Sequence, residues 1–122
     1  MAGSYRRLNV WRSAIAFASS VYAGTARFPK EELFGLTSQL RRAVVSVSAN
    51  IAEGAGRGSK ADFSRFIDIA IGSLNEVESL MEIAKEMNYV DSSFYYKFLE
   101  ESDSLRMSLG AFRKHLKQSS KL

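Results

Sequence analysis

The chain contains no cysteine, one proline and one histidine in 122 residues. Without cysteine there is no disulfide framework, no thiolate metal site and no cysteine nucleophile. The single histidine, His115, sits among Arg113, Lys114 and Lys117. It has no second imidazole to share a metal with and reads as a surface residue. No run of about 18 apolar residues occurs, so no membrane-spanning helix is expected. The basic opening "MAGSYRRLNVWRSAIAFASS" is interrupted by Arg12, Ser13 and Ser19, which argues against a secretory leader. A cytoplasmic protein is expected. Proline is confined to Pro29 and three of the eight glycines cluster at 54, 56 and 58, so few positions can interrupt a helix.

What is present is a hydrophobic content of 46% with 25% charged residues, the balance of a folded globular chain. The length suits a single domain, residues 1–122. Apolar residues recur with a period near 3.6 in four stretches, and no strand pattern competes. The first helix, about 9–27, presents Trp11, Ile15, Ala18, Val21, Tyr22 and Thr25. The second, about 36–55, presents Leu36, Leu40, Ala43, Val44, Val47 and Ile51. The third, about 59–88, carries Phe63, Phe66, Ile67, Ala70, Leu74, Val77, Met81 and Ala84 in steps of three and four. The fourth, about 91–117, carries Phe94, Tyr95, Phe98, Leu105, Leu109, Phe112 and Leu116. Ser59 and Asp91 stand where helix caps belong. Four long helices with short connections predict an all-α fold, an antiparallel up-and-down four-helix bundle.

Two helices carry more apolar surface than one core requires. The second has a further row, Val45, Ser48, Ala49 and Ala52, small enough for another backbone to approach closely; the third adds Ile69 and Ile71. A helix that is apolar on more than one side is buried on more than one side, so self-association is expected through these residues. Asn50 and Glu53 lie on one face of the same helix, with Arg57 one turn further on. They are expected to form a register-fixing hydrogen-bond network at the interface or in the core.

The stretch "AEGAGRGSK", Ala52 to Lys60, raises the question of a phosphate loop. The P-loop order is G-x-x-x-x-G-K-[ST] between a strand and a helix. Here the glycines are too close together, lysine follows serine, and a helix precedes them. The stretch reads instead as a joint: glycine supplies a left-handed residue at one helix end and Ser59 caps the next. Arg57 and Lys60 remain beside the free N–H groups of the third helix, where a backbone phosphate can bind. Glu76, Glu78, Glu82 and Glu86 do not amount to a di-metal site, since no Glu-x-x-His accompanies them. They read as a solvated face or one that meets a neighbour's arginines. No metal, cofactor or small-molecule substrate is expected, and without a paired acid, base and nucleophile neither is an enzyme.

Charge is segregated along the chain. Residues 1–65 carry +6, residues 66–105 carry −7, and residues 106–122 carry +5. Arg6, Arg7 and Arg12 lead the first helix, Arg41 and Arg42 lie off the stripe of the second, and Arg113, Lys114 and Lys117 end the fourth. With Arg57 and Lys60 they form the candidate nucleic-acid-binding set. Guanidinium forks suit phosphate. No motif for reading bases accompanies them, so binding would be backbone-driven and salt-sensitive.

The segment "FPKEELFGLTSQLRRAVVSVSANIAEGAGRGSKADFSRFIDIAIGSLNEVESLMEIA", with the opening "LNVWRSAIA", resembles the bacterial four-helix-bundle proteins often encoded within 23S rRNA intervening sequences. The blocks "LTSQLRRA", "NIAEG" and "GSLNEVE" carry the resemblance, which spans nearly the whole chain. It implies a four-helix bundle assembled as a ring-shaped homopentamer. It also implies a likeness to accessory proteins of diversity-generating retroelements, which act with a reverse transcriptase and bind nucleic acid through basic surfaces. The matching positions are Arg41, Arg42, Asn50, Glu53, Gly54 and Arg57. Ser48 departs from the family pattern, which commonly has proline there, and so bears on the shape of the second helix. The family has no settled enzymatic activity. The expectation is therefore a non-enzymatic homo-oligomer that binds RNA or a ribonucleoprotein. The competing class is a protein–protein scaffold with no nucleic-acid ligand.

Overall fold

A computed structural model describes residues 3–120, so the extreme ends of the expected 1–122 domain lie outside the described residues. A 3₁₀ turn, Ser4–Arg7, leads into α1, Asn9–Thr25. A second 3₁₀ turn, Lys30–Glu32, precedes α2, Leu36–Ala55, which is followed by α3, Lys60–Glu86, and α4, Ser92–Ser120. No strand occurs among the described residues. The helices differ from the expected spans only at their ends: α1 stops two residues earlier, and α4 runs three further.

The helices pack α1 on α2, α2 on α3, α3 on α4, and α4 back on α1, around one core. Specific side-chain contacts join neighbouring helices. Ser46 Oγ meets Ser73 Oγ at 2.8 Å, whereas Gly54 lies against Phe63 and Phe66. Arg113 reaches Asp68 at 2.9 Å, whereas Arg106 reaches Asn75 at 2.8 Å. Phe17 stacks on Phe98 with ring centroids 5.5 Å apart.

The core stripes of α2 and α3 are those the periodicity marks, Phe63 being only half-buried. On α4 the buried series is Tyr95, Phe98, Ser102, Leu105, Leu109 and Leu116, with Ser102 completing the alternating steps of three and four. Each large side chain fully withdrawn from water stabilises the fold by about 1.5–3 kcal/mol.

On α1 the expected stripe holds at Val21 and Thr25, with Trp11 and Ala18 packed against the core, and fails at Ile15 and Tyr22. Val10, Ala14, Phe17, Val21 and Thr25 are buried, whereas Ile15 is 40% and Tyr22 41% exposed. Each residue turns a helix by about 100°, and α1 has apolar residues on both faces, so periodicity alone selects either set. Phe17, against Phe98, decides it.

The caps are in place. Ser59 Oγ accepts the Asp62 N–H at 3.1 Å, and Asp91 Oδ1 accepts the Phe94 N–H at 2.7 Å. The reciprocal half of a capping box is not formed, since the Asp62 carboxylate takes Arg65 at 3.0 Å instead. The expected left-handed glycine is also absent among the described residues. Gly56 closes α2 at φ −88°, ψ 0°, and the one residue at positive φ is Asn88, at 62°, behind α3. Gly54 serves packing instead: a Cβ there would lie 2.7 Å from Phe66 Cβ. Ser48 leaves α2 unbroken from Leu36 to Ala55.

Candidate nucleic-acid interface

The contacts collect most of the candidate cations at one end of the molecule. The 3₁₀ turn Ser4–Arg7 packs on both α1 and α2. Because the last turn of α1 meets Arg41 near the start of α2, the first turn of α1 lies towards the α2–α3 joint. That joint carries Arg57 and Lys60. The end of α4 comes to the same place, since Phe112 packs edge-on against Phe63 at 5.2 Å and Arg113 pairs with Asp68. Among the described residues, nine cationic side chains, counting Arg65, thus share a pole with three carboxylates, Glu53, Asp62 and Asp68. Such an excess of one sign raises the local potential towards polyanions.

The nine are not equivalent. Arg57 is held loosely by Glu53 at 3.9 Å and Asp62 at 3.8 Å. Its guanidinium also lies 4.6 Å from the Phe66 ring centroid, and that of Arg65 lies 4.8 Å from it. Arg57 is therefore a partnered residue of the joint, as its i,i+4 spacing from Glu53 suggested, and is not left free for a phosphate. Arg12 donates to the Arg6 carbonyl at 2.9 Å and to the Asn9 side chain, pinning the 3₁₀ turn onto α1. Arg6 lies over the Tyr5 and Trp11 rings at 5.6 and 5.8 Å. Arg113 is neutralised by Asp68. Lys117 makes contacts of its own. Arg7, Lys60 and Lys114 are exposed.

Arg41 and Arg42 stand apart from this pole. Arg41 Nε donates to Thr25 Oγ1 at 3.0 Å, its Nη2 to the Tyr22 carbonyl at 3.4 Å, and its guanidinium stacks 4.6 Å from the Tyr22 ring centroid. It clamps the last turn of α1 onto α2. Arg42 is exposed beside it. Both line a groove of about 670 Å³ that also takes in Leu33, Phe34 and Val45. Phe34 is 93% exposed. Sequence periodicity had no means of marking it, because it lies outside every helical stripe. The available signal was "ELFG", two large apolar residues in a turn ahead of Gly35.

Of the outer row expected to self-associate, Val45 (45%) and Ile69 (41%) are exposed, as are Ala49 and Glu53. Ala52 and Asn50 are half-buried, and the Asn50 amide donates to the Ser46 carbonyl at 2.8 Å and to Ser46 Oγ at 3.0 Å. Ser48 and Ile71 do not belong to that row. Ser48 is buried with its hydroxyl on the Val45 carbonyl, and Ile71 packs against the chain's own core.

The acidic face of α3 is also used within the chain. Arg106 of α4 pairs with Glu78 at 2.8 Å, and Ser102 donates to the same carboxylate. Burial alone would raise the Glu78 pKa, but the hydrogen bonds from Arg106 and Ser102 and the arginine's charge outweigh it, and the net shift is downward. Burial, followed by a hydrogen bond to Glu82, pushes the Tyr95 hydroxyl up. Among the described residues no group of three or more His, Asp or Glu is placed to hold a metal, and no helix is long and apolar enough to cross a membrane.

Residues 6–111 match the 23S rRNA-intervening sequence protein family, and the chain belongs to it. In fold it is similar to the crystal structure of a protein of unknown function from the S23 ribosomal protein family of Bacteroides thetaiotaomicron. The TM-score is 0.76 at 25% identity, over 86% of this chain and 98% of that one. No protein of curated function matches it.

Proposed function

We propose that this member of the 23S rRNA-intervening sequence protein family is a non-enzymatic, antiparallel up-and-down four-helix bundle that self-associates and binds RNA at its basic pole. The observation that carries the reading is the gathering of Arg6, Arg7, Lys60 and Lys114 at one end with no carboxylate partner among the described residues. Cations whose charge no carboxylate neutralises are available to phosphate, and a phosphate that binds them releases counterions. The exposed row Val45, Ala49 and Ile69 supports self-association. A ring of copies, five in the relatives the sequence resembles, would present the pole repeatedly to one polyanion, and weak contacts would add through effective concentration. The partner is then a structured RNA, free or within a ribonucleoprotein such as a reverse-transcriptase complex, and the protein is cytoplasmic.

The same exposed apolar row favours a second reading, a scaffold with no nucleic-acid ligand. One titration separates the two: RNA is added at low and at moderate salt while sedimentation follows the size of the oligomer. Under the leading reading, affinity falls with salt with a log–log slope of roughly −0.7 per phosphate engaged on a single strand, and the oligomer persists. Absence of RNA binding at low salt sinks that reading. An oligomer that dissociates with salt and ignores RNA establishes the scaffold.

A further inference from the structure

The groove beside Phe34 lies away from the basic pole, and of its lining only Val45 enters the reading above, as part of the self-associating row. A phenylalanine 93% exposed to water forfeits nearly all the stabilisation its ring could give the fold. It is not a loose side chain on a loose loop. Glu32 accepts the Leu36 N–H at 3.1 Å and the Tyr89 hydroxyl at 2.9 Å, and its carbonyl accepts the Gly35 N–H at 2.9 Å. Phe28 packs on Tyr89, with centroids 5.4 Å apart. The turn is thus tied on both flanks while Phe34 is held outward.

Across the groove stands Tyr22, with the Arg41 guanidinium already stacked 4.6 Å from its ring centroid. Arg42 lies beside it, exposed, with no partner among the described residues. Among the described residues the only charges lining the groove are these two arginines, no carboxylate opposes them, and the half-buried Ser38 adds a hydroxyl. An aromatic held open, a fixed guanidinium plane, an exposed cation and a neutral hydroxyl are the parts that take an unpaired nucleobase together with its phosphate. Stacking holds the base and cations hold the backbone. A basic peptide would be repelled. A purely apolar partner would bury Arg42 without a counter-charge.

We infer that this groove binds an unpaired base of single-stranded RNA, stacked on Phe34, with Arg42 on the adjoining phosphate. The inference rests on the RNA-binding reading above and adds to it a strand preference and a second contact point.

The test uses the full chain with a single-stranded RNA of about twelve nucleotides carrying one 2-aminopurine, and a duplex RNA of the same length. Wild type is expected to quench the 2-aminopurine and to prefer the single strand. Phe34→Ala is expected to lose roughly tenfold in single-strand affinity, as removal of a stacking platform does. Its duplex affinity, thermal stability and sedimentation should be unchanged, because the ring is outside the core. Phe34→Trp should restore single-strand binding and Phe34→Leu should not. Full binding by Phe34→Leu would show an apolar contact and overturn the assignment. So would a change in oligomer size with Phe34→Ala, which would make the groove a subunit contact. Equal single-strand and duplex binding, untouched by Phe34→Ala, overturns this inference and leaves RNA binding at the pole standing. Failure of wild type to bind either RNA at low salt removes both.

Discussion

Replacing Gly54 by alanine would place a methyl carbon 2.7 Å from Phe66 Cβ, 2.8 Å from Phe63 Cδ1 and 3.2 Å from Phe63 Cε1. Two effects oppose each other. Alanine within a helix is better than glycine by about 1 kcal/mol. Overpacking a close contact is destabilising by about 1–3 kcal/mol. Which wins depends on what must move. The Phe63 ring is half-buried and can swing, but Phe66 Cβ is fixed to the α3 backbone and its side chain is 5% exposed, so relief requires α2 and α3 to separate. A net loss of up to about 2 kcal/mol follows, lowering Tm by about 4 °C per kcal/mol in a chain of this size. Gly110→Ala is the matched control. It also lies within a helix, and nothing stands within 4 Å of the added carbon. It should gain up to about 1 kcal/mol. Both variants are to be unfolded by urea and by heat at one protein concentration, since an oligomer's Tm depends on it. If Gly54→Ala is as stabilising as Gly110→Ala, the close approach of α2 and α3 is refuted.

Further outcomes can be stated from the same structure. Ser59→Ala removes the hydroxyl that accepts the Asp62 N–H and should lower stability in urea by about 1 kcal/mol; Ser59→Asp should largely keep it. Glu78 has a lowered pKa in the fold, so its contribution is present above the unfolded carboxylate pKa and is lost as pH falls through the folded value. In Arg106→Met the carboxylate keeps its burial and loses its cation. Urea midpoints from pH 7 to pH 3 should then show the acid loss beginning at higher pH than in wild type, and an unchanged profile would refute the pairing. Lys60→Glu with Lys114→Glu reverses two charges that have no partner among the described residues. RNA affinity at low salt should fall at least tenfold and its salt slope should flatten, while Tm moves by less than about 2 °C, as for surface substitutions generally. A large loss of stability would mean these lysines do structural work.

The sequence by itself determined the helices, most of the core and the caps. Alternating steps of three and four on α3, with polar residues between, admit one burial pattern, and Ser59 and Asp91 each accept an N–H at the predicted helix start. It settled the character of "AEGAGRGSK" as a joint, but not the reason for its glycines. A left-handed turn and a close helix contact call for the same residue, and only the position of Phe66 shows that Gly54 serves the contact. On α1 two apolar faces compete, so the choice between Ile15 with Tyr22 and Ala14 with Phe17 waited on Phe98 from a helix some 80 residues away.

The candidate site was legible as a set of residues and not as a place. Counting charge finds Arg6, Arg57, Lys60 and Lys114 but cannot say that they share a pole, since that depends on how helix ends meet. It cannot separate Arg41, spent on clamping Thr25, from Arg42, which has no partner among the described residues. Nor can it show that Phe34 points away from the core, because a residue in a turn belongs to no periodic face. Burial and charge pairing are properties of distances between segments far apart in sequence. Local periodicity therefore fixes which residues form helices, and only packing fixes which side chains remain for a partner.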